Sequence, residues 1–134
     1  MFRDGHTKTM INIPVSVGEL VDKITILKIK LTQIKDKDKL VNVQNEHNEL
    51  TSLIEYVKIQ KDVLDHQQQL MEINLRLWFL EEDIRHYEKH NHFEKEFIDV
   101  ARKIYKTNDE RSRIKKEINI LCNSALVEEK SHED

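Results

Sequence analysis

The chain has 134 residues and a net charge of −3, from 22 Lys and Arg residues against 25 Asp and Glu residues. Two glycines and one proline cannot supply the tight turns of an all-β sandwich or barrel, nor a glycine-rich phosphate-binding loop, so both are excluded. The length fits one domain, and the nearly balanced charge argues against nucleic acid as a partner.

The ends of the chain differ from its middle. Residues 1–9 have no apolar periodicity, and we predict a disordered lead-in there, then a single helical domain over residues 10–131 and a flexible tail at 132–134. Residues 11–15 alternate in part between apolar and polar side chains. Because Pro14 cannot donate to a strand ladder, this stretch is predicted to be an extended segment or an edge strand.

The first helix is predicted to begin at a capping box. In that motif the Ser16 hydroxyl accepts from the Glu19 amide, and the Glu19 carboxylate accepts from the Ser16 amide. Apolar residues then recur three or four positions apart and define one helical face: Val17, Leu20, Val21, Ile24, Leu27, Leu31 and Ile34. Ile26 and Ile29 add a second apolar stripe, and we expect this stripe to contribute to the contact in a homodimer or higher homo-oligomer.

A second helix follows a polar turn, with Asp36 or Asp38 as its N-cap. We predict that it ends at a break near residues 60–62. We expect the helix to bury its apolar face, which comprises Leu40, Val43, His47, Leu50, Ile54 and Val57.

Two further helices are predicted from the same periodicity. The third ends at residues 90–92, and the fourth begins at Phe93 and ends near Asn123. The inward positions of the third are Leu70, Ile73, Leu77, Leu80, Ile84 and Tyr87. Those of the fourth begin with Phe97, Val100, Ala101 and Ile104.

These elements predict an all-α fold. Short links between amphipathic helices favour antiparallel neighbours, and so an elongated antiparallel four-helix bundle or paired helical hairpins with short extended ends. Residues 11–15 and 125–130 are both partly apolar, and we expect them to pack near the start of the first helix, with a two-stranded pairing as one form. Glu128 and Glu129 would then lie near basic residues of the fourth helix or of a second subunit.

Polar residues interrupt the inward face of the predicted fourth helix. After Ile104 the next inward positions are Thr107, Asn108 and Arg111, and the apolar pattern resumes at Ile114. A buried polar group without a partner costs about 1–3 kcal/mol, so these side chains require partners on neighbouring helices. The candidate residues for this polar site are Asp22, Thr25, Asn74, Glu81, Glu82, Asp83, Arg85, Arg102, Thr107, Asn108, Asp109, Arg111 and Lys115.

Two interpretations of this polar site remain open. It is either a network that fixes the register of the helices or a pocket for a small anionic ligand. In the pocket, Arg102 and Arg111 would clamp a phosphate or carboxylate, and Lys115 would add a point charge. One of the three carboxylates at positions 81–83 would then act as a general base or hold a divalent ion.

A histidine pattern raises the question of a metal. Glu82, His86 and His90 fall four apart on one helical face, a spacing that suits zinc. Histidines near a helix C-terminus are also favoured by the helix dipole. We therefore predict no metal site and no cofactor, with a divalent metal as the remaining option.

The compartment is predicted from what the sequence contains. The single cysteine, Cys122, cannot form an internal disulfide and indicates a reducing compartment. The longest apolar run, residues 77–80, is far short of the roughly 20 residues of a membrane span. Residues 1–6 do not contain the apolar core of a secretory signal. We predict a cytoplasmic protein without membrane contact.

Five segments together resemble a family of small, uncharacterised bacterial and phage proteins that is known only as a domain of unknown function. The resemblance extends from Met10 to Ser131 and includes the polar interruption of the fourth helix. The segments that carry it are residues 15–20, 22–27, 77–85, 101–119 and 124–131. The resemblance implies a helical domain and brings no established activity.

Two functions are compatible with these observations. The first is an oligomeric helical binding module with a buried mixed-charge site. The alternative is a small all-α enzyme that acts on a phosphorylated or carboxylated metabolite, with or without a metal ion. It would use the carboxylates at positions 81–83 together with Arg102 and Arg111.

Overall fold

The computed structural model of the chain describes residues 8–56 and 61–131. Four α-helices account for most of this part, and it contains no β-strand. A short 3-10 turn, Ile54–Tyr56, follows the second helix. The helices are α1 (Val17–Gln33), α2 (Lys37–Leu53), α3 (Lys61–Lys89) and α4 (Lys95–Leu121). The predicted all-α fold is confirmed.

The starts of α1 and α2 follow from side chains that satisfy the first backbone amides. The Ser16 hydroxyl accepts from the Glu19 amide at 3.1 Å, as the capping box predicts. The second half of that prediction is wrong, because the Glu19 carboxylate instead accepts from Lys115 Nζ at 2.6 Å. Of the two candidates for the next cap, Asp36 takes the role, and its carboxylate accepts from the Asp38 and Lys39 amides.

The ends of α3 and α4 coincide with asparagines in the left-handed backbone region. Asn91 has a φ of 53° after α3, and Asn123 has a φ of 50° after α4. Asparagine tolerates this conformation better than most residues, which explains why both helices stop there, as predicted. The fourth helix begins at Lys95 rather than Phe93. The predicted break near residues 60–62 lies partly outside the described residues, and α3 begins at Lys61. The prediction that the second helix extends to this break is wrong, because α2 ends at Leu53 and the 3-10 turn follows it.

The core is built by α1, α3 and α4. α3 and α4 form an antiparallel hairpin and make the most extensive helix contact, while α1 packs against both. Gly18 contacts Asn119, and Asp22 contacts Arg111. Because the residue numbers rise along α1 while those of the partners on α4 fall, α1 is antiparallel to α4. The central cluster comprises Val21, Val63, Leu70, Ile73, Leu77, Ile114 and Ile118.

α2 forms a hairpin with α1 and contributes little to the core. Of its predicted apolar face only Val43 is buried. The others that the structure describes are half-buried, namely Leu40, His47, Leu50 and Ile54, while Val57 lies outside the described residues. A helix that packs chiefly on one neighbour leaves the edges of its apolar face open, so the prediction of a fully buried face was wrong.

The close approach of α1 and α4 depends on Gly18. A Cβ at this position would clash with the backbone carbonyl of Lys115. The Gly18 amide donates to Asn119 Oδ1 at 2.6 Å, and both residues are buried. Glycine therefore lets the two helix backbones come into contact at the N-terminus of α1.

After α4, residues 124–131, here called the tail, run back along α4 without forming a helix. Ser16 Oγ donates to Glu128 at 2.6 Å, and Lys116 Nζ lies 2.9 Å from the Glu129 carboxylate. These contacts confirm that the tail packs near the start of α1 and the basic residues of α4. Residues 11–15 do not pack there, since Ile11 is 80% and Ile13 69% exposed. The predicted packing of this segment is therefore wrong, and so is its two-stranded pairing with the tail, because no strand forms in the described residues.

Candidate functional site

A buried carboxylate stands at the centre of the polar site. Asp22 on α1 is 0% exposed and forms a two-point ion pair with Arg111 of α4. Arg111 Nε donates to Oδ1 at 2.9 Å, and Nη2 donates to Oδ2 at 2.5 Å. Lys115 Nζ lies 3.7 Å from Oδ2. Two cations from one face of α4 therefore compensate the single buried charge.

An amide from the third helix completes this ionic network, which we define as Asp22, Thr25, Asn74, Arg111 and Lys115. Asn74 Nδ2 donates to Asp22 Oδ1 at 2.9 Å and to Thr25 Oγ1 at 2.8 Å. Thr25 Oγ1 in turn donates to the Asp22 carbonyl at 2.7 Å. Since the buried polar atoms of Asp22, Thr25 and Asn74 all have partners, the network joins α1, α3 and α4 at one level of the bundle.

The spacing along each helix explains why these side chains meet. Asp22 and Thr25 are three residues apart on α1, and Arg111 and Lys115 are four residues apart on α4. Residues at these separations lie on the same helical face. Because α1 is antiparallel to α4, the two faces oppose each other, and Asn74 enters from α3.

The charges in the network determine its protonation. Burial raises the pKa of Asp22, but the hydrogen bonds from Arg111 and Asn74 and the charges of Arg111 and Lys115 outweigh burial and hold it below its ordinary value. The hydrogen bonds that Arg111 donates to Asp22 raise the pKa of Arg111. Both groups are therefore ionised at neutral pH. Asp22 is a weak general base, because its pKa is lowered and both of its oxygens accept hydrogen bonds from Arg111 or Asn74.

Next to the network lies a groove of about 560 Å³ between α1 and α3, with α4 at its base. We call it the α1–α3 groove. Its apolar walls are Ile26, Ile29, Leu77 and Trp78. Its polar residues are Asn74, Glu81, Glu82, Arg85, Asn108 and Arg111. The Arg111 side chain is 28% exposed, so the ionic network reaches solvent in this groove.

The rim of the α1–α3 groove carries an excess of negative charge. Trp78 Nε1 donates to Glu82 Oε1 at 2.9 Å. Arg85 pairs with Glu81 at 3.5 Å, and Arg111 is neutralised by Asp22. Among the residues that line the groove, no cation therefore pairs with the Glu82 carboxylate, and its negative charge is not neutralised there.

The structure distributes the remaining candidate residues over different surfaces. Thr107 is buried, and Asn108 is half-buried beside the groove. Asp109 pairs with Lys130 of the tail. Asp83 and Arg102 are exposed and do not line the groove.

Helix geometry separates the two arginines of the expected clamp. Arg102 and Arg111 are nine residues apart, which places them about half a turn apart on α4, and Arg111 faces the core. The clamp in which Arg102 and Arg111 hold one anion is therefore not formed.

A second cavity, of about 660 Å³, lies between α4 and the tail. It contains both signs of charge, including Lys115 and Lys116 from α4 and Glu128 and Glu129 from the tail. Lys116 is paired with Glu129, and Lys115 with Glu19. Both lysines are thus already in ion pairs, and Glu128 accepts a hydrogen bond from Ser16 Oγ.

In the described part of the chain, Glu82, His86 and His90 do not form a group that could ligate one metal ion. The rings of His86 and His90 meet edge to face with centroids 4.3 Å apart, and Glu82 accepts from Trp78 instead. Ligand atoms come within 4.8 Å of one another at the exposed α3–α4 turn, in His92, Glu94 and Glu96. Both ring nitrogens of His92 there already face the two carboxylates.

Several residues of the site were not among the candidate residues predicted from the sequence. Glu19 holds Lys115 beside the network, and Asn119 accepts from the Gly18 amide. Trp78 forms a groove wall. Asn119 could have been identified from the sequence, because polar positions on the inward face of α4 extend as far as this residue. Glu19 gave no such signal, since its position already fitted that of a capping residue.

The fold and the site together define a small all-α bundle whose three core helices are joined by a buried ion pair under an open groove. The model of a family of unknown function, DUF6165, matches residues 11–134, and the chain belongs to this family. The resemblance to a family without known function is thereby confirmed. Neither the curated proteins nor the solved structures gave a match. Among the described helices, none has the length and apolar character of a transmembrane span.

Proposed function

We propose that this chain is a helical interaction module whose α1–α3 groove binds an apolar protein segment that carries a positive charge. The observation that carries the proposal is the composition of the groove. Four apolar side chains form its walls, the carboxylate of Glu82 stands at its rim, and the only cation at its base, Arg111, is engaged with Asp22. An open groove between helices is a common way to bind a peptide segment.

The same geometry disfavours a small anionic ligand. Arg111 uses Nε and Nη2 on Asp22, and Arg85 pairs with Glu81. Arg102 belongs to another face of α4. An anion that entered the groove would therefore compete with two carboxylates for cations that are already paired, while Glu82 would repel it.

The buried network supports a binding role by fixing the groove. Asn74 lies one helical turn before Trp78 on α3, and Asp22 lies one turn before Ile26 on α1. Hydrogen bonds between Asn74 and Asp22 hold these two turns at a set distance. A binding surface on rigidly joined helices loses little conformational freedom when a partner binds.

The enzymatic alternative receives less support from the geometry. It requires the carboxylates at positions 81–83, Arg102 and Arg111 to converge on one substrate, but Asp83 and Arg102 lie outside the groove. A general base acts best when its pKa is near the working pH. The buried carboxylate in this site, Asp22, instead has a pKa held below its ordinary value.

Trp78 makes the proposal testable, because it is the only tryptophan in the chain and forms a wall of the groove. The assay is a titration of Trp78 fluorescence with short peptides that contain two isoleucines and one lysine. A saturable shift of the emission to shorter wavelength is expected, since the peptide displaces water from the indole. Matching peptides with aspartate in place of lysine should bind at least tenfold more weakly.

Two variants test whether the fluorescence shift arises from binding in the groove. Ile26→Glu alters the groove wall and should abolish the shift, whereas Ile120→Glu places the same charge at a position that is 68% exposed and should leave it unchanged. Circular dichroism checks that both variants fold. Equal binding of the lysine and aspartate peptides would overturn the proposal. The absence of any shift in a variant whose own residues 8–15 cannot compete for the groove, such as Ile11→Asp, would overturn it as well.

A further inference from the structure

The chain itself contains a segment of the required chemistry. Residues 8–15, here called the arm, precede α1 in a non-helical path and are exposed. Its apolar side chains are Met10 at 65% exposure, Ile11 at 80%, Ile13 at 69% and Val15 at 41%. Four apolar residues exposed within six positions form a patch of the kind that marks an interaction surface. Lys8 at the start of the arm supplies a positive charge.

We propose that the occupant of the α1–α3 groove is the arm of a second copy of this chain; this inference rests on the proposed function of the groove. Ile11 and Ile13 are two residues apart, so that in an extended path their side chains face the same side. They enter the groove between Ile26 and Trp78, the two apolar wall residues that are only partly buried in the single chain. Reciprocal exchange of the two arms closes a two-fold dimer.

The dimensions of the arm and the groove agree. The α3 wall of the groove runs from Asn74 to Arg85, which is about 16 Å at 1.5 Å per residue. Residues 8–13 span about 17 Å in an extended conformation at roughly 3.3 Å per residue. The arm therefore covers the length of the groove without a turn.

Charge complementarity favours the same pairing. The groove rim carries Glu81 and Glu82, and only Glu81 has a cationic partner within the groove. Lys8 lies three residues before Ile11, about 10 Å away in an extended chain, so it reaches the rim when Ile11 and Ile13 occupy the walls. The contact should weaken as salt is added, because the pair lies at an exposed rim.

The fixed start of α1 explains why the arm acts on a second copy. Ser16 is held by Glu128, and Gly18 is held against Asn119, so the arm leaves the bundle at this end. Ile26 and Ile29 lie 10 and 13 residues along α1 from Ser16, about 15–20 Å away. To reach them within its own chain, the arm would have to fold back along α1 from Ser16. In the structure the arm is instead directed into solvent.

The test is the mass of the full chain in sedimentation equilibrium over a range of micromolar concentrations. A dimer is expected. Ile11→Asp should raise the dimer dissociation constant at least tenfold. Asn12→Asp introduces the same charge one position along, on the opposite side of an extended arm, and should leave it within about threefold. Glu82→Lys, at an exposed rim position that does not affect folding, should weaken the dimer as well.

A mixing experiment shows whether arm and groove come from different copies. Ile11→Asp has an intact groove and a damaged arm, while Ile26→Glu has an intact arm and a damaged groove. Each variant alone should be monomeric, and an equimolar mixture should form a heterodimer through its one intact arm and groove. If Ile26→Glu does not fold, Glu82→Lys takes its place in the mixture.

The outcomes separate this inference from the proposed function. A full chain that is monomeric at every concentration, or an unchanged mass for Ile11→Asp, would overturn arm exchange. A monomer whose Trp78 emission responds to Ile11→Asp would show that the arm binds its own groove, which also overturns it. In each of these cases binding of the isoleucine–lysine peptides would leave the proposed function intact. The decisive negative result uses the Ile11→Asp variant. If neither those peptides nor a peptide of residues 8–15 binds this variant, both arm exchange and the proposed function of the groove are overturned.

Discussion

Replacing Arg111 by leucine tests the energetic role of the ionic network. The substitution removes the two-point hydrogen bond to Asp22, which is 0% exposed and cannot be hydrated in place. Leucine preserves most of the packing volume on α4, so the main loss is electrostatic. Asp22 keeps the hydrogen bond from Asn74 and a cation at 3.7 Å in Lys115.

Removal of one partner of a buried ion pair costs about 3–5 kcal/mol, because an uncompensated charge stays in the interior. Since Arg111 is itself 28% exposed and Lys115 remains, we expect the lower end of this range, about 3 kcal/mol of unfolding free energy at neutral pH. Asp22→Asn combined with Arg111→Leu removes the buried charge as well. The double variant should therefore be more stable than Arg111→Leu alone.

The loss of unfolding free energy caused by Arg111→Leu should depend on pH. In the wild type the pKa of Asp22 lies below its ordinary value, so its contribution to stability is present above the ordinary pKa and is lost as the pH falls through the lower, folded value. Without Arg111, burial dominates and raises the pKa of Asp22 in the folded state. The variant therefore takes up a proton on folding once the pH falls through that raised pKa. Its difference from wild type should shrink between pH 7 and pH 4, as the pH approaches the ordinary aspartate pKa of about 4.

The measurement is urea-induced unfolding of both proteins at pH 7 and pH 4. Arg113→Leu is the matched control, because Arg113 is 61% exposed and pairs with Glu117 on the same helix; it should cost only about 0.3–0.5 kcal/mol. The reasoning is refuted if Arg111→Leu costs less than 1 kcal/mol at pH 7, or if its cost is as large at pH 4 as at pH 7.

Three further predictions concern the packing of the chain ends. Gly18→Ala should lower the free energy of unfolding by about 1–3 kcal/mol, because the added methyl group meets the Lys115 carbonyl; an unchanged urea midpoint would contradict the close helix contact. Deletion of residues 125–134 should cost about 1–2 kcal/mol, since buried Ser16 loses the Glu128 carboxylate, and a melting temperature equal to that of the full chain would show that the tail contributes nothing. Burial raises the pKa of the Cys122 thiol, so alkylation near pH 8 should be slower in the folded than in the urea-unfolded chain, and equal rates would contradict this.

Local sequence signals predicted the helices well because their causes are local. A serine and an aspartate at the N-caps and an asparagine after each of α3 and α4 satisfy backbone groups within a few residues. The interrupted apolar stripe on α4 likewise required buried partners for Arg111. Such requirements are present in one helix alone, whatever its neighbours are.

The partners of those side chains were harder to predict. Glu19 fits a capping box by its position, yet its carboxylate binds Lys115 of α4, since a charged partner across the helix contact outweighs a backbone amide. Ile29 was expected in a subunit contact, but it is only 4% exposed within the single chain. A helical stripe shows that a face is apolar without showing which neighbour covers it.

The sequence by itself determined four helices, their caps and the polar level of α4 at which Arg111 stands. The tertiary structure alone decided that α1, α3 and α4 form the core while α2 remains on its edge, and that Asp22 is the carboxylate that Arg111 binds. It also separated Arg102 from Arg111 and opened the α1–α3 groove beside Trp78. Periodicity and capping depend on residues within one or two turns, whereas the choice of partners depends on how whole helices cross, which here follows from the contact that Gly18 permits.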